Sequence, residues 1–167
     1  MKMTRQSIRT DALGLLAWLA ATFATGAIGA IASARAADFY AHLTQPSWAP
    51  PAWLFGPVWT LLYLFMAIAA WLVWRERGFR GARAGLWFFL IQLIANAAWT
   101  WLFFQLHLGA WSMTEIVLLW LLIAATIGTF WRIHRFAATL LVPYLAWVSF
   151  AAALTWSLWR MNPTALG

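Results

Sequence analysis

The sequence has no cysteine, and only 4 of its 167 residues are acidic. Without thiols, disulfides, thiolate catalysis, iron–sulfur clusters and thiolate zinc sites are excluded, and cysteine usage leaves the redox compartment open. Charge of either sign is also scarce, at 9% of residues against 65% hydrophobic. An ordinary globular chain is about half apolar and about a quarter charged, so a typical soluble enzyme and a disordered chain are both excluded. What is abundant instead is aromatic: 18% of residues, with 15 tryptophans outnumbering 11 Lys plus Arg. A soluble domain of this size could not hide so much apolar surface, and the chain belongs in a bilayer. A formal charge of +7 would suit nucleic acid only on a solvated basic face. Here the basic residues sit between apolar blocks, so no nucleic-acid partner is expected.

Five stretches have the roughly 20 apolar residues needed to cross about 30 Å of hydrocarbon. They run about Ala12 to Ala34, Trp53 to Trp74, Ala84 to Leu106, Met113 to Trp131 and Phe136 to Trp159. Two tails and four connections make up the rest, which leaves no room for a soluble domain. The runs are continuous and rich in Leu, Ala and Trp, unlike the short alternating strands of a membrane barrel. The expected fold is therefore all-α: one integral membrane domain over residues 1–167, a bundle of five transmembrane helices. The competing reading of the first span as a cleaved signal, with Ala34-Arg35-Ala36 as its site, fails on length. Counting basic residues by side sets the orientation. With a cytoplasmic N-terminus, nine lie inside (Lys2, Arg5, Arg9, Arg75, Arg77, Arg80, Arg83, Arg132, Arg135) and two outside (Arg35, Arg160). That bias predicts N-in and C-out in a bacterial-type membrane.

The longest connection, Arg35 to Ala52, begins with a segment able to form one or two helical turns. It continues as Gln45-Pro46-Ser47-Trp48-Ala49-Pro50-Pro51, which cannot stay helical because each proline lacks an N–H and restricts its predecessor. This loop is a candidate lid over the bundle mouth, or equally an interfacial anchor. Pro57 falls in the first turns of the second span, whereas Pro143 lies well inside the fifth and should kink it, freeing the Thr139 carbonyl. Small-residue motifs that let helices approach closely, Gly81-x-x-x-Gly85 and Gly26-x-x-x-Ala30, are candidate dimer contacts.

Polar residues in the spans are few, and their spacing groups them. Gln92, Asn96, Trp99 and Phe103 share one face of the third span; Phe55, Trp59 and Tyr63 repeat along the second; Tyr144, Trp147 and Ala151 do so along the fifth. Spacing alone leaves two readings of these stripes, interhelical hydrogen bonding or a ligand pocket. Glu115 follows Ser112-Met113-Thr114 as a capping box would, which would leave no buried acid for proton coupling. His42, His107 and His134 come from separate connections and read as solvated, although imidazole can ligate haem iron. No catalytic constellation is present: no paired carboxylates in the spans, no nucleophile elbow, no phosphate loop, no histidine pair at helical spacing, and no metal site.

Several of these segments together carry a family pattern. Trp48-Ala49-Pro50-Pro51, Phe55-Gly56-Pro57-Val58-Trp59-Thr60-Leu61-Leu62-Tyr63, Gln92-x-x-x-Asn96-x-x-Trp99-Thr100 and Val142-Pro143-Tyr144-Leu145-Ala146-Trp147 occur in the order found in the tryptophan-rich sensory protein/translocator protein (TspO/MBR) family, which the chain resembles over about residues 12 to 162. The resemblance implies a five-helix membrane protein, commonly a homodimer. It also implies a pocket beneath the first loop for porphyrins and, in some members, sterols or benzodiazepine-type drugs. By matched position Trp48, Trp59, Tyr63, Asn96, Trp147 and Ala151 would line that pocket. No cofactor is required, and porphyrin is the implied ligand. The chain departs from the pattern at Thr155-Trp156, where many relatives have Asn followed by an aromatic, and the sterol pattern is not met before Arg160, so cholesterol is not expected. The function so implied is a membrane receptor or sensor for tetrapyrroles. A light-dependent porphyrin-degrading enzyme and a transporter are the alternatives; the transporter is weakened by the missing buried acid and the absence of an internal repeat.

Overall fold

Apolar runs in lipid can satisfy their backbone polar groups only within themselves, so each becomes a helix. The computed structural model describes residues 5–167, with side chains from Arg9 onward; Lys2, one of the nine charges expected on the cytoplasmic side, lies outside the described residues. In chain order the helices are α1 (Arg5–Ala32), α2 (Ala36–His42), a 3₁₀ turn (Ala52–Leu54), α3 (Phe55–Gly81), α4 (Arg83–Thr100) with a π-helical turn (Trp101–Gln105), α5 (Gly109–Trp131), α6 (Arg135–Leu140), α7 (Val142–Met161) and α8 (Pro163–Leu166). Among the described residues five helical stretches are long and apolar enough to span a membrane: Arg9–Ala32, Ala52–Gly81, Arg83–Gln105, Gly109–Trp131 and Arg135–Met161. The expected five-helix bundle is the fold.

The helices pack chiefly as α4 on α5, α1 on α3 and α5 on α7. Lipid tails are as apolar as the side chains, so this association rests on close contact and hydrogen bonds rather than on the hydrophobic effect. The tightest part lies where α3, α4, α5 and α7 meet, around Met66, Leu86, Phe89, Ile116, Ile123, Phe130 and Tyr144, all fully buried. Gly85 belongs to this packing. A Cβ there would lie 2.9 Å from Thr129 Oγ1 and 3.0 Å from the Phe130 ring. Likewise a Cβ on Gly26 would lie 2.8 Å from the Tyr63 ring. Two of the three candidate dimer glycines, Gly26 and Gly85, therefore pack against side chains of other helices of the same chain. Gly78 serves backbone geometry instead. At φ 61° and ψ 177° it holds a conformation open essentially only to glycine, and with it the chain turns from α3 toward α4.

Two local expectations are corrected. Pro143 does not kink a continuous helix. The fifth span is two helices, α6 and α7, parted at Leu141, whose N–H reaches Ala138 O (3.1 Å) and whose carbonyl accepts from Leu145 N–H (3.0 Å). Pro143 stands in the first turn of α7, where its missing N–H is not needed and its fixed φ suits a helix start. The capping box at Ser112 is also absent. Helix α5 starts earlier, at Gly109, where a Cβ would lie 2.3 Å from the Trp159 ring, so a tertiary contact fixes the start. Ser112 is then interior, its N–H and hydroxyl both reaching Leu108 O at 2.8 and 2.7 Å. Glu115 lies nearly two turns inside the helix, with both carboxylate oxygens buried and without a hydrogen-bond partner. The expectation of no buried acid is overturned.

Candidate functional site

The stripe Phe55, Trp59 and Tyr63 on α3 forms an aromatic wall, with the Trp59 and Tyr63 rings 5.5 Å apart. Opposite it α1 presents Gly26, Gly29 and Ala30, with Ser33 just past its end. Their small side chains cannot fill the space before that wall, and a cavity of about 590 Å³ remains between α1, α3, α4 and α7. Trp99, Thr100 and Phe104 close it from α4 and its π-helical turn, and Trp147 and Ala151 from α7. Ala36, Ala37 and Tyr40 of α2, with Ala52, roof it, so the first loop does cover the mouth. Ala30, Gly56 and Thr60 on its rim are exposed, which leaves it open between α1 and α3.

The roof is held largely by its own bonds. The Tyr40 hydroxyl donates to Pro50 O at 3.0 Å, and Gln45 Nε2 donates to Tyr40 O at 2.6 Å. Burial pushes the Tyr40 phenol above its ordinary ionisation range, so it stays a donor at any physiological pH. Phe39 stacks on His107, with ring centroids 4.1 Å apart.

Of the six residues singled out from the sequence, Trp59, Tyr63, Trp147 and Ala151 line the cavity together. Asn96 stands behind Tyr63. The Tyr63 hydroxyl donates to Asn96 Oδ1 (2.8 Å), Asn96 Nδ2 donates to the Tyr144 hydroxyl (3.2 Å), and that hydroxyl donates to Gln92 Oε1 (2.9 Å). The chain of bonds ends at Gln92 Nε2 on Met66 Sδ, 3.8 Å away. The amides of α4 thus work as interhelical bonds joining α3, α4 and α7, and only the ring of Tyr63 meets the cavity. Trp48 lies outside the lining, half-exposed, with its ring edge-on to Phe150 at 5.7 Å. Thr155 is buried away from the cavity, and Trp156 faces outward beneath the Arg160 guanidinium.

Two lining residues carry unpaired donors: the indole N–H groups of Trp99 and Trp147 are buried and have no acceptor. A donor left unpaired in a dry interior costs about 1–3 kcal/mol, so such pairs of orphans are uncommon. Trp99 belonged to the candidate stripe of the third span, whereas the α1 residues, Thr100 and Phe104 were not anticipated as lining. Their signal was present in Gly26-x-x-x-Ala30, a small-residue face that makes room for a ligand as readily as for a helix. The histidines are structural or solvated: His134 Nδ1 caps α6 by accepting Ala137 N–H at 3.2 Å, and among the described residues no cluster could hold a metal ion.

The sequence model of the TspO/MBR family matches residues 17–160. The chain belongs to the TspO/MBR family. Protein CrtK of Rhodobacter capsulatus is 43% identical over 142 residues, covering 83% of this chain and 86% of that protein. Tryptophan-rich protein TspO of Chlorobaculum tepidum is 40% identical over 129 residues (75% and 80%), and the human translocator protein 39% over 126 residues (74% and 75%). With its five spanning helices, this TspO/MBR protein is an integral multi-pass membrane protein.

Proposed function

We propose that the chain is a membrane receptor or sensor that takes up a porphyrin, or a related flat hydrophobic molecule, in the cavity under the first loop. One observation carries the reading: a cavity of about 590 Å³ walled by the aromatic residues Trp59, Tyr63, Trp99 and Trp147. The volume falls in the range of small-molecule sites, roughly 300–1,000 Å³. Indole and phenol faces stack on a planar macrocycle. Relatives carry names such as tryptophan-rich sensory protein and translocator protein, which agrees with a ligand-responsive membrane role.

The test is an absorption titration of protoporphyrin with the purified protein, in the dark and under light. A saturable red-shifted complex, lost in Trp147→Ala, supports the receptor reading. Light-dependent bleaching that needs the cavity tryptophans would make the protein an enzyme, and absence of any complex would remove porphyrin. The proposal includes a homodimer, checked by cross-linking in native membranes, and an N-in, C-out orientation with the loop outside. An alkaline phosphatase fused at Gly167 is then active; an inactive fusion paired with an active cytoplasmic reporter reverses the orientation.

A further inference from the structure

The loop over the cavity and the end of the last spanning helix are tied by one side chain. At the C-cap of α7, Asn162 Oδ1 accepts the Thr44 N–H at 2.8 Å, and Asn162 Nδ2 donates to the Thr44 carbonyl at 2.9 Å. The residues are 118 positions apart in sequence. The reciprocal pair needs a donor and an acceptor on one planar group, which a side-chain amide supplies. The amide is itself oriented: Nδ2 also donates to Leu158 O at 2.8 Å, and the Asn162 N–H reaches the same carbonyl at 3.0 Å. Aromatic contacts also join the loop to the spanning helices, from Phe39 to Phe103 and from Trp48 to Phe150, and such contacts tolerate sliding. The amide pair sets a register.

We infer that Asn162 is a positioning residue that latches the roof of the cavity. It touches no part of the lining. Opening the roof requires both of its bonds to Thr44 to be given up, so the latch sets how often the cavity is accessible rather than how well it holds its contents. The consequence is kinetic. Free and loaded protein are held shut by the same pair, so losing it speeds entry and exit alike and leaves the equilibrium constant nearly unchanged. Two hydrogen bonds exchanged for water correspond to about tenfold in opening.

The experiment compares wild type, Asn162→Ala and Thr44→Pro in nanodiscs, by amide hydrogen exchange over residues 43–52 and by stopped-flow binding of protoporphyrin. Thr44→Pro removes the N–H from the loop side without touching α7. Leu43, at ψ 145°, already has the extended backbone that precedes proline. Both variants should exchange faster across the loop, and porphyrin should bind and leave about tenfold faster in Asn162→Ala and about threefold faster in Thr44→Pro, which keeps the bond to its carbonyl, with Kd within about twofold. Unchanged loop exchange in either variant overturns the latch. Faster exchange with unchanged rates also overturns it, since ligand would then pass between α1 and α3. The rates rest on the porphyrin reading, whereas exchange does not. If wild type binds no porphyrin, the proposed ligand fails while exchange alone decides the latch.

Discussion

The two sides of Tyr63 differ in almost every respect. Behind its hydroxyl, Asn96, Tyr144 and Gln92 form a closed series of hydrogen bonds among fully buried groups. Before its ring lies a cavity bounded by glycines, alanines and tryptophans, two of which have unpaired donors. The same residue types, aromatics and small polar groups, produce rigid bonding on one side and open space on the other. What separates them is the facing helix: α4 offers amides at the right depth, whereas α1 meets the Tyr63 ring with Phe23 and Gly26 and offers it no polar partner. In a membrane bundle a polar stripe therefore points to glue where its partners carry polar groups, and to a site where they do not.

The comparison breaks most visibly at Trp147. Trp147→Ala should weaken porphyrin binding by about thirtyfold, or about 2 kcal/mol, because it removes an aromatic face from the cavity. Trp87→Ala, at an exposed position on α4, should leave the titration unchanged. Ala151→Leu tests the same side by filling it, and should lower affinity while thermal unfolding in detergent stays where it was.

Asn96→Leu attacks the other side. It strands the Tyr63 hydroxyl and takes one of two partners from Tyr144, and should destabilise the bundle by about 1–2 kcal/mol, read as a lowered unfolding temperature. An equal loss of stability in Asn96→Leu and Trp147→Ala would erase the distinction between the two sides. Gly78→Ala, far from both, should cost about 1 kcal/mol or more through backbone strain alone, since a Cβ there meets nothing within 4 Å. The smallest effect is expected at Glu115. A helix cap lost to Glu115→Leu would cost about 1 kcal/mol. Replacing a buried carboxylate that has no partner should leave the unfolding temperature unchanged or higher.

Composition and run length determined the class of this protein. With 65% hydrophobic residues gathered in five stretches whose one charged residue is Glu115, only spanning helices are admitted, because lipid offers backbone groups no other partner. Helical periodicity was enough to bring Trp59, Tyr63, Trp147 and Ala151 to shared faces, since 3.6 residues per turn is a property of the chain alone. Which face met which neighbour was decided only in three dimensions. Asn96 went behind the wall because α7 brought the Tyr144 hydroxyl within 3.2 Å of its amide. Gly26 and Gly85 met Tyr63 and Phe130 of their own chain. The start of α5 moved ahead of Ser112 because Gly109 and Trp159 pack together, leaving Glu115 buried, and α6 and α7 parted before Pro143 where the sequence alone suggested a bend. Each of these outcomes depends on contacts between residues far apart in the chain, and local spacing carries no record of them.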